Sequence, residues 1–246
     1  MTESNQNSVQ DILIKIEGLS PVEALKLLSE EFNGVTVFST SFSFEDQVIT
    51  DMIRANQLAI EIFTLDTGRM FPETYSTWTR TLEKYPAKIT AYYPDALALQ
   101  SFIEEKGPNS FYESVENRKS CCHIRKVEPL QRALKGKKLW ITGIRAEHSP
   151  NRHDMLPVEW DGTNQVLKFH PILNWTTEEV KQYIQQNDIP YNPLHDKGFV
   201  SIGCAPCTRA IKPGEDFRAG RWWWEDSSKK ECGLHVHEES VISDKV

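Results

Sequence analysis

Five cysteines carry the most distinctive chemistry in this chain, and their spacing divides them into three groups. Cys232 stands alone in Lys230-Glu231-Cys232-Gly233-Leu234-His235, Cys121 and Cys122 are adjacent, and Cys204-Ala205-Pro206-Cys207 is a C-x-x-C loop. Cysteine attacks through its thiolate, whose pKa falls beside cations. Lys229, Lys230 and His235 supply such groups around Cys232, and Gly233 gives the segment room to move. The plain alternative is an incidental surface cysteine. The other four suit tetrahedral Zn²⁺ or an iron-sulfur cluster equally by number. Spacing separates the two only in part, because an adjacent pair strains a single-ion tetrahedron while a cubane offers separate iron corners. A redox C-x-x-C with two incidental buried cysteines is the remaining reading.

Two loops and a set of basic residues complete the candidate chemistry. Ser39-Thr40-Ser41-Phe42-Ser43 lies between a β-branched run and a helical stretch. Backbone N-H groups at such a helix start, joined by hydroxyls, bind phosphate without a full positive charge, although serine-rich turns also cap many helices. The loop matches neither G-x-x-x-x-G-K-[ST] nor G-x-G-x-x-G. Leu65-Asp66-Thr67-Gly68-Arg69 follows the next apolar run and either contacts a nucleoside or is a tight turn needing glycine. Arg125, Lys126, Arg145, Arg152, Arg218 and Arg221 concentrate in cysteine-bearing and strand-end segments. Arg218 and Arg221 are three apart, so a helical turn would aim both forks at one phosphate or sulfate. Any one of these arginines, taken singly, reads as a solvated surface residue. Trp222, Trp223 and Trp224 read as packing between tail and core rather than as a base-stacking platform.

The elements that must position these residues follow from periodicity. Val9 to Phe32 reads as two amphipathic helices, the second capped by Ser20 with Pro21 at its first position. Strands are predicted at Val35 to Thr40, Ala59 to Leu65, Lys88 to Tyr93, Lys138 to Gly143 and Leu167 to Pro171. Between them lie helices from Gln47 to Ala55, from Pro72, from Asp95 to Lys106, from Ser110 to Glu116, and from Ile124 to Leu134, with the cysteine pair at a helix start. A last helix runs to Gln186, capped by Asn174 or Thr176. Alternating strands and helices imply an α/β fold: a mostly parallel twisted sheet with helices on both faces and ligands at the carboxyl ends of its strands. After Pro190 periodicity gives way to a loop-rich tail. Residues 1–200 are expected to form the nucleotide-binding α/β unit, and 201–246 a cysteine-bearing segment and mobile tail of the same domain.

Bulk properties narrow the function classes. A net charge of −7 argues against broad nucleic-acid binding. Met1 to Gln10 lacks a signal-peptide pattern, and no apolar run approaches the roughly 20 residues that span a bilayer. A soluble, cytoplasmic protein with reduced thiols is expected.

Taken together and in order, Ser39 to Asp46, Leu65 to Arg69, Cys121-Cys122 with Arg125-Lys126, Gly143-Ile144-Arg145 with Arg152, Cys204 to Cys207, Arg218 with Arg221, and Glu231 to His235 resemble the iron-sulfur type of assimilatory adenylyl-sulfate reductases. These are relatives of the phosphoadenylyl-sulfate reductases within the adenine-nucleotide α-hydrolase-like (ATP pyrophosphatase-like) fold. The resemblance implies attack by Cys232 on the sulfur of adenosine 5′-phosphosulfate, release of AMP, and sulfite release from Cys-S-SO₃⁻ by thioredoxin or a glutaredoxin-like thiol. It implies a [4Fe-4S] cluster on Cys121, Cys122, Cys204 and Cys207, with Lys126 linking cluster and sulfate. By the same resemblance Arg152, Arg218, Arg221 and His235 surround the phosphosulfate, Ser39, Ser41, Leu65 and Gly143 hold the nucleotide, and Arg69 and Arg145 join the binding set. A homo-oligomer is usual in the family.

Three other readings compete. A reductase of the 3′-phosphorylated nucleotide, or of both, is the nearest; the four cluster cysteines favour the unphosphorylated substrate. An ATP pyrophosphatase-type adenylating enzyme is disfavoured because Ser39 to Ser43 lacks the glycines of S-G-G-x-D-S. A zinc-stabilised binding module would leave Cys232 unexplained.

Overall fold

A computed structural model describes residues 3–148, 152 and 154–225. The first half follows the predicted alternation: α1 (Glu3–Ile16), α2 (Pro21–Glu31), β1 (Thr36–Ser39), α3 (Phe44–Ala55), β2 (Glu61–Leu65), α4 (Pro72–Lys84), β3 (Ile89–Tyr92) and α5 (Ala96–Lys106). Local chemistry sets several of these boundaries. Ser20 and Glu23 form a capping box on α2, Ser43 caps α3 through the Asp46 amide, and Asp95 caps α5.

Differences begin after α5. Ser110–Tyr112 is a single 3-10 turn, and the helix expected from Ser110 to Glu116 instead starts at Val115, where the Ser114 hydroxyl accepts from the Asn117 amide. This helix, α6 (Val115–Cys122), therefore ends with the cysteine pair rather than beginning there. A π turn over His123–Val127 leads into α7 (Glu128–Leu134), with Pro129 in its first turn. Such widened turns recur at functional sites.

The remaining elements are β4 (Leu139–Ile141), β5 (Val158–Asp161), β6 (Val166–Phe169) and α8 (Thr177–Gln186). Thr176, not Asn174, caps α8, in a second capping box with Glu179. The sheet order is β3-β2-β1-β4-β6-β5, parallel throughout except for the antiparallel β5-β6 pair at one edge. β5 has no counterpart among the predicted strands. It is only four residues long, and its Asp161 is buried against Lys168 of β6 at 2.8 Å, so its pattern reads as polar.

Neighbouring strand residues face opposite layers. Phe38, Ile62 and Ile141 pack with α1, α2, α3 and α8, whereas Val37, Phe63 and Trp140 pack with Leu130, Ala133 and Leu134 of α7. The chain lays β2 and β3 to one side of β1 and β4 to the other, which opens a crevice between the carboxyl ends of β1 and β4. Among the described residues no helix is long and apolar enough to cross a membrane.

Candidate active site

That crevice is a cavity of about 280 Å³. Its walls come from the turn after β1 (Ser39, Thr40, Ser41, Ser43, Glu45, Asp46), the ends of β2 and β4 (Leu65, Thr67, Thr142, Gly143, Ile144), Lys126, Arg152, and the 200–221 segment with Cys204, Phe217, Arg218 and Arg221. Nine of the predicted residues, Ser39, Ser41, Leu65, Lys126, Gly143, Arg152, Cys204, Arg218 and Arg221, thus meet at one site. Arg218 and Arg221 converge through a turn, closed by the Arg221 amide on the Arg218 carbonyl at 2.9 Å, rather than through a helix.

The β1 turn is wound inward. Phe42 has a left-handed φ of 61° and is fully buried against Trp78, with ring centroids 5.4 Å apart. The Ser41 amide and hydroxyl both donate to Asp46 Oδ2, at 2.6 and 2.7 Å, and the Phe42 amide donates to the Thr40 hydroxyl. These N-H groups are therefore satisfied within the turn, contrary to the expectation that they face a phosphate. Trp140 Nε1 donates to the Ser39 hydroxyl at 2.9 Å. Gly143 is required by proximity, since a Cβ there would collide with Asp46. Burial pushes the Asp46 carboxyl up to about 6 despite the Ser41 donors, and the Glu45 charge adds to the rise. At Glu45 burial acts in the same direction, but the His148 contact and the Arg145 guanidinium outweigh it and hold the carboxyl at about 2.

Two predicted arginines lie elsewhere. Arg145 is buried, with Nε on Glu45 Oε1 at 3.0 Å and further bonds to Glu147, the Trp175 carbonyl and the Thr177 hydroxyl. It is bound up in the wall behind the cavity. Arg69 bonds Asn109 and the Pro108 carbonyl and lies 5.1 Å over the Phe111 ring, on the side of the cysteines.

A second, narrow pocket gathers Cys121, Cys122, Cys204 and Cys207 with Arg69, Arg118, Arg125, Lys126 and Trp222. Cys204 and Lys126 border both pockets. The four described cysteines are free thiols, and among the described residues no three His, Cys, Asp or Glu side chains are arranged to hold a single metal ion. Burial pushes the Cys207 thiol up to about 12 and raises Cys121 as well. At Cys204 the same burial is outweighed by Lys126, by the Thr67 hydroxyl at 3.3 Å and by Arg221 and Arg125, and its pKa falls. Arg125 Nε and Trp222 Nε1, both at this pocket, are buried donors with no acceptor among the described residues. Trp222 is 1% exposed and packs with Phe111, Cys204 and Cys207, as tail-to-core packing requires. Its φ of 41° is left-handed, at a cost of about 1–3 kcal/mol that the packing must offset.

Cys232 and His235 lie outside the described residues. Sequence reasoning missed Gly203 and Phe217. A Cβ on Gly203 would strike the Arg221 guanidinium, and Phe217 stacks on His148 at 4.1 Å. Their only sequence signal is adjacency to Cys204 and Arg218.

Residues 35–210 match the phosphoadenosine phosphosulfate reductase domain. A protein of Allochromatium vinosum named adenosine 5′-phosphosulfate reductase is 44% identical over 238 residues, 97% of this chain and 93% of the relative. One of Rhizobium meliloti with the same name is 47% identical over 224 residues, 91% of this chain and 84% of the relative. Among solved structures, phosphoadenylyl-sulfate reductase of Candida auris in its phosphate complex superposes with a TM-score of 0.70 and 27% identity, covering 86% of this chain and 98% of that one. Yeast FAD synthetase, at 17% identity and a TM-score of 0.53 over 85% of this chain and 70% of that one, shares the fold. The cavity at the strand ends, the cysteine pocket beside it and these likenesses agree, and the chain belongs to the phosphoadenosine phosphosulfate reductase family.

Proposed function

We propose that the protein reduces adenosine 5′-phosphosulfate to sulfite and AMP in sulfate assimilation, with Cys232 as the sulfur acceptor. The observation that carries this reading is the shared wall of Lys126 and Cys204 between a cation-lined cavity and a four-cysteine pocket. The names of the relatives support the substrate.

The nucleotide would lie along Ser39, Ser41, Leu65 and Gly143, with its phosphosulfate toward Lys126, Arg152, Arg218 and Arg221. Those cations offset the repulsion between an anionic substrate and a thiolate. The Cys232 thiolate would attack the sulfate sulfur, forming the S-S bond of Cys-S-SO₃⁻ as the S-O bond to AMP breaks. A thiol of thioredoxin or a glutaredoxin-like donor would then attack Cys232 Sγ, releasing sulfite and leaving a mixed disulfide that the donor's second thiol resolves. His235 is assigned to the same phosphosulfate contacts.

The cysteine pocket fits a [4Fe-4S] cluster on Cys121, Cys122, Cys204 and Cys207. Four soft donors line one space, cations ring it, and Arg125 Nε and Trp222 Nε1 there have no acceptor among the described residues. When bound, the cluster supplies an anionic metal-sulfur centre that ties α6 to the 204–207 loop.

Mass spectrometry tests the reading. Iron-loaded protein mixed anaerobically with adenosine 5′-phosphosulfate, without thiol, should carry a sulfonate on Cys232 and release sulfite when thioredoxin is added. The same run with the 3′-phosphorylated nucleotide reports substrate preference. If neither sulfonucleotide leaves an adduct or yields sulfite, the reading fails; pyrophosphate release from ATP would point to an adenylating enzyme instead.

A further inference from the structure

One buried charge pair has no part in the reaction above. Arg118 of α6 donates through Nε and Nη2 to both carboxylate oxygens of Glu225, at 3.0 and 2.8 Å, and the side chains are 1% and 4% exposed. Glu225 is the last described residue, and six residues separate it from Cys232. Such a stretch reaches at most about 25 Å, so where Glu225 is held limits where Cys232 can go.

The pair sits at the cysteine pocket, whose lining includes Arg118. Arg118 stands three residues before Cys121 on the same helix, and its guanidinium lies 4.7 Å over the Trp222 ring. The Trp222 amide donates to the Cys207 carbonyl at 3.2 Å, and the Glu225 amide to the Trp222 carbonyl at 2.9 Å. One residue earlier, Arg221 faces the nucleotide cavity. The root of the tail is thus tied to both halves of the cysteine pocket while still bordering the cavity.

Stability does not explain burying these charges. Desolvation offsets most of the attraction, and a packed apolar pair would hold as well. A bidentate fork adds a single orientation. Water was within reach, since the neighbouring Trp223 is 40% exposed.

We propose that Arg118 and Glu225 are positioning residues: their ion pair sets the root of the tail so that Cys232 meets the cavity, from the helix that also carries Cys121 and Cys122. This rests on Cys232 as the sulfonate acceptor.

Two variants separate positioning from scaffolding. Glu225→Gln keeps the shape and removes the charge, while Arg118→Lys keeps the charge and removes the fork. Four quantities are measured beside the wild-type enzyme: iron content, AMP affinity, hydrogen exchange of the 221–225 amides, and the single-turnover rate of sulfonate transfer to Cys232 from adenosine 5′-phosphosulfate. The expected result is unchanged iron and AMP affinity, faster exchange at the Trp222 and Glu225 amides, and transfer slowed by about tenfold to a hundredfold, as for a displaced reacting group. Arg118→Lys should lose less. Transfer at the wild-type rate in both variants overturns the proposal, and so does loss of iron in step with transfer, which would make the pair part of the cysteine scaffold. A wild-type enzyme that forms no adduct overturns the assignment of Cys232 instead, and the exchange data then still report whether the pair holds the root.

Discussion

At the scale of single residues, the site depends on close approaches that tolerate no added atom. Gly203 lies against the Arg221 guanidinium, and a Cβ would meet Nη2, Cζ and Nη1 of that side chain. Gly203→Ala should displace Arg221 from the cavity and weaken nucleotide binding by about tenfold to a hundredfold, the worth of one charged hydrogen bond; titration calorimetry with adenosine 5′-phosphosulfate on the Cys232→Ser background measures it. Asp46 gives a pH prediction. Its carboxyl is raised from an ordinary 3.8 to about 6, chiefly by burial. The folded state therefore keeps a proton that the unfolded chain has released, and the stability this contributes is complete below about pH 4 and lost as pH rises through about 6. Asp46→Asn keeps an acceptor for Ser41 and carries no charge. Its melting temperature should match that of the wild type near pH 4 and exceed it increasingly up to pH 7, by on the order of 2–3 kcal/mol in stability. A constant difference across that range would refute the assignment. Asp46 could be placed in the β1 turn from sequence, but its protonation could not, because that is set by Glu45, Ser41 and burial acting together.

At the scale of elements, three helices are locked by one carboxylate. Asp51 of α3 is buried and accepts from Tyr85 Oη, just past α4, at 2.6 Å and from Tyr183 Oη of α8 at 2.9 Å. Burial and this carboxylate both push the two phenols well above their usual range. Tyr85→Phe or Tyr183→Phe should cost about 1.5–3 kcal/mol each, as hydrogen bonds to a charged group do, and chemical denaturation would show it. The two losses should not add, since both act on Asp51. The start of α2 was legible from Ser20 and Pro21, and that of α8 to within Asn174 or Thr176, whereas α3 begins at Phe44 behind its Ser43 cap, three residues before the expected Gln47. The start of α6 was not legible, because Ser110 and Ser114 are equally good local caps. Its end was not either, since the π turn before Pro129 keeps the chain helical through both cysteines.

At the scale of the whole molecule, the sheet order places the strand-end cavity and the cysteine pocket side by side. α6 and the 204–207 loop are more than 80 residues apart in sequence, and they meet because α6 follows β3 while the loop returns past α8 to the same end of the sheet. Replacing any one of Cys121, Cys122, Cys204 or Cys207 by serine should therefore lower iron content and melting temperature together, as metal binding and local folding are linked. Iron analysis and calorimetry on the same samples check this; a variant without iron but with unchanged melting would show that the pocket folds independently of its metal.

The amino-acid sequence by itself determined what depends on near neighbours: the alternation of strands and helices, two capping boxes, the inventory of thiols and cations, and the family. Tertiary structure alone decided where each charge is spent. Arg145 and Arg218 look alike in sequence, yet Arg145 meets Glu45 from 100 residues away and is consumed in a buried pair, while Arg218 faces the cavity. The physical reason is that a side chain's period and propensity are local, whereas its desolvation and its partner come from residues that only folding brings near.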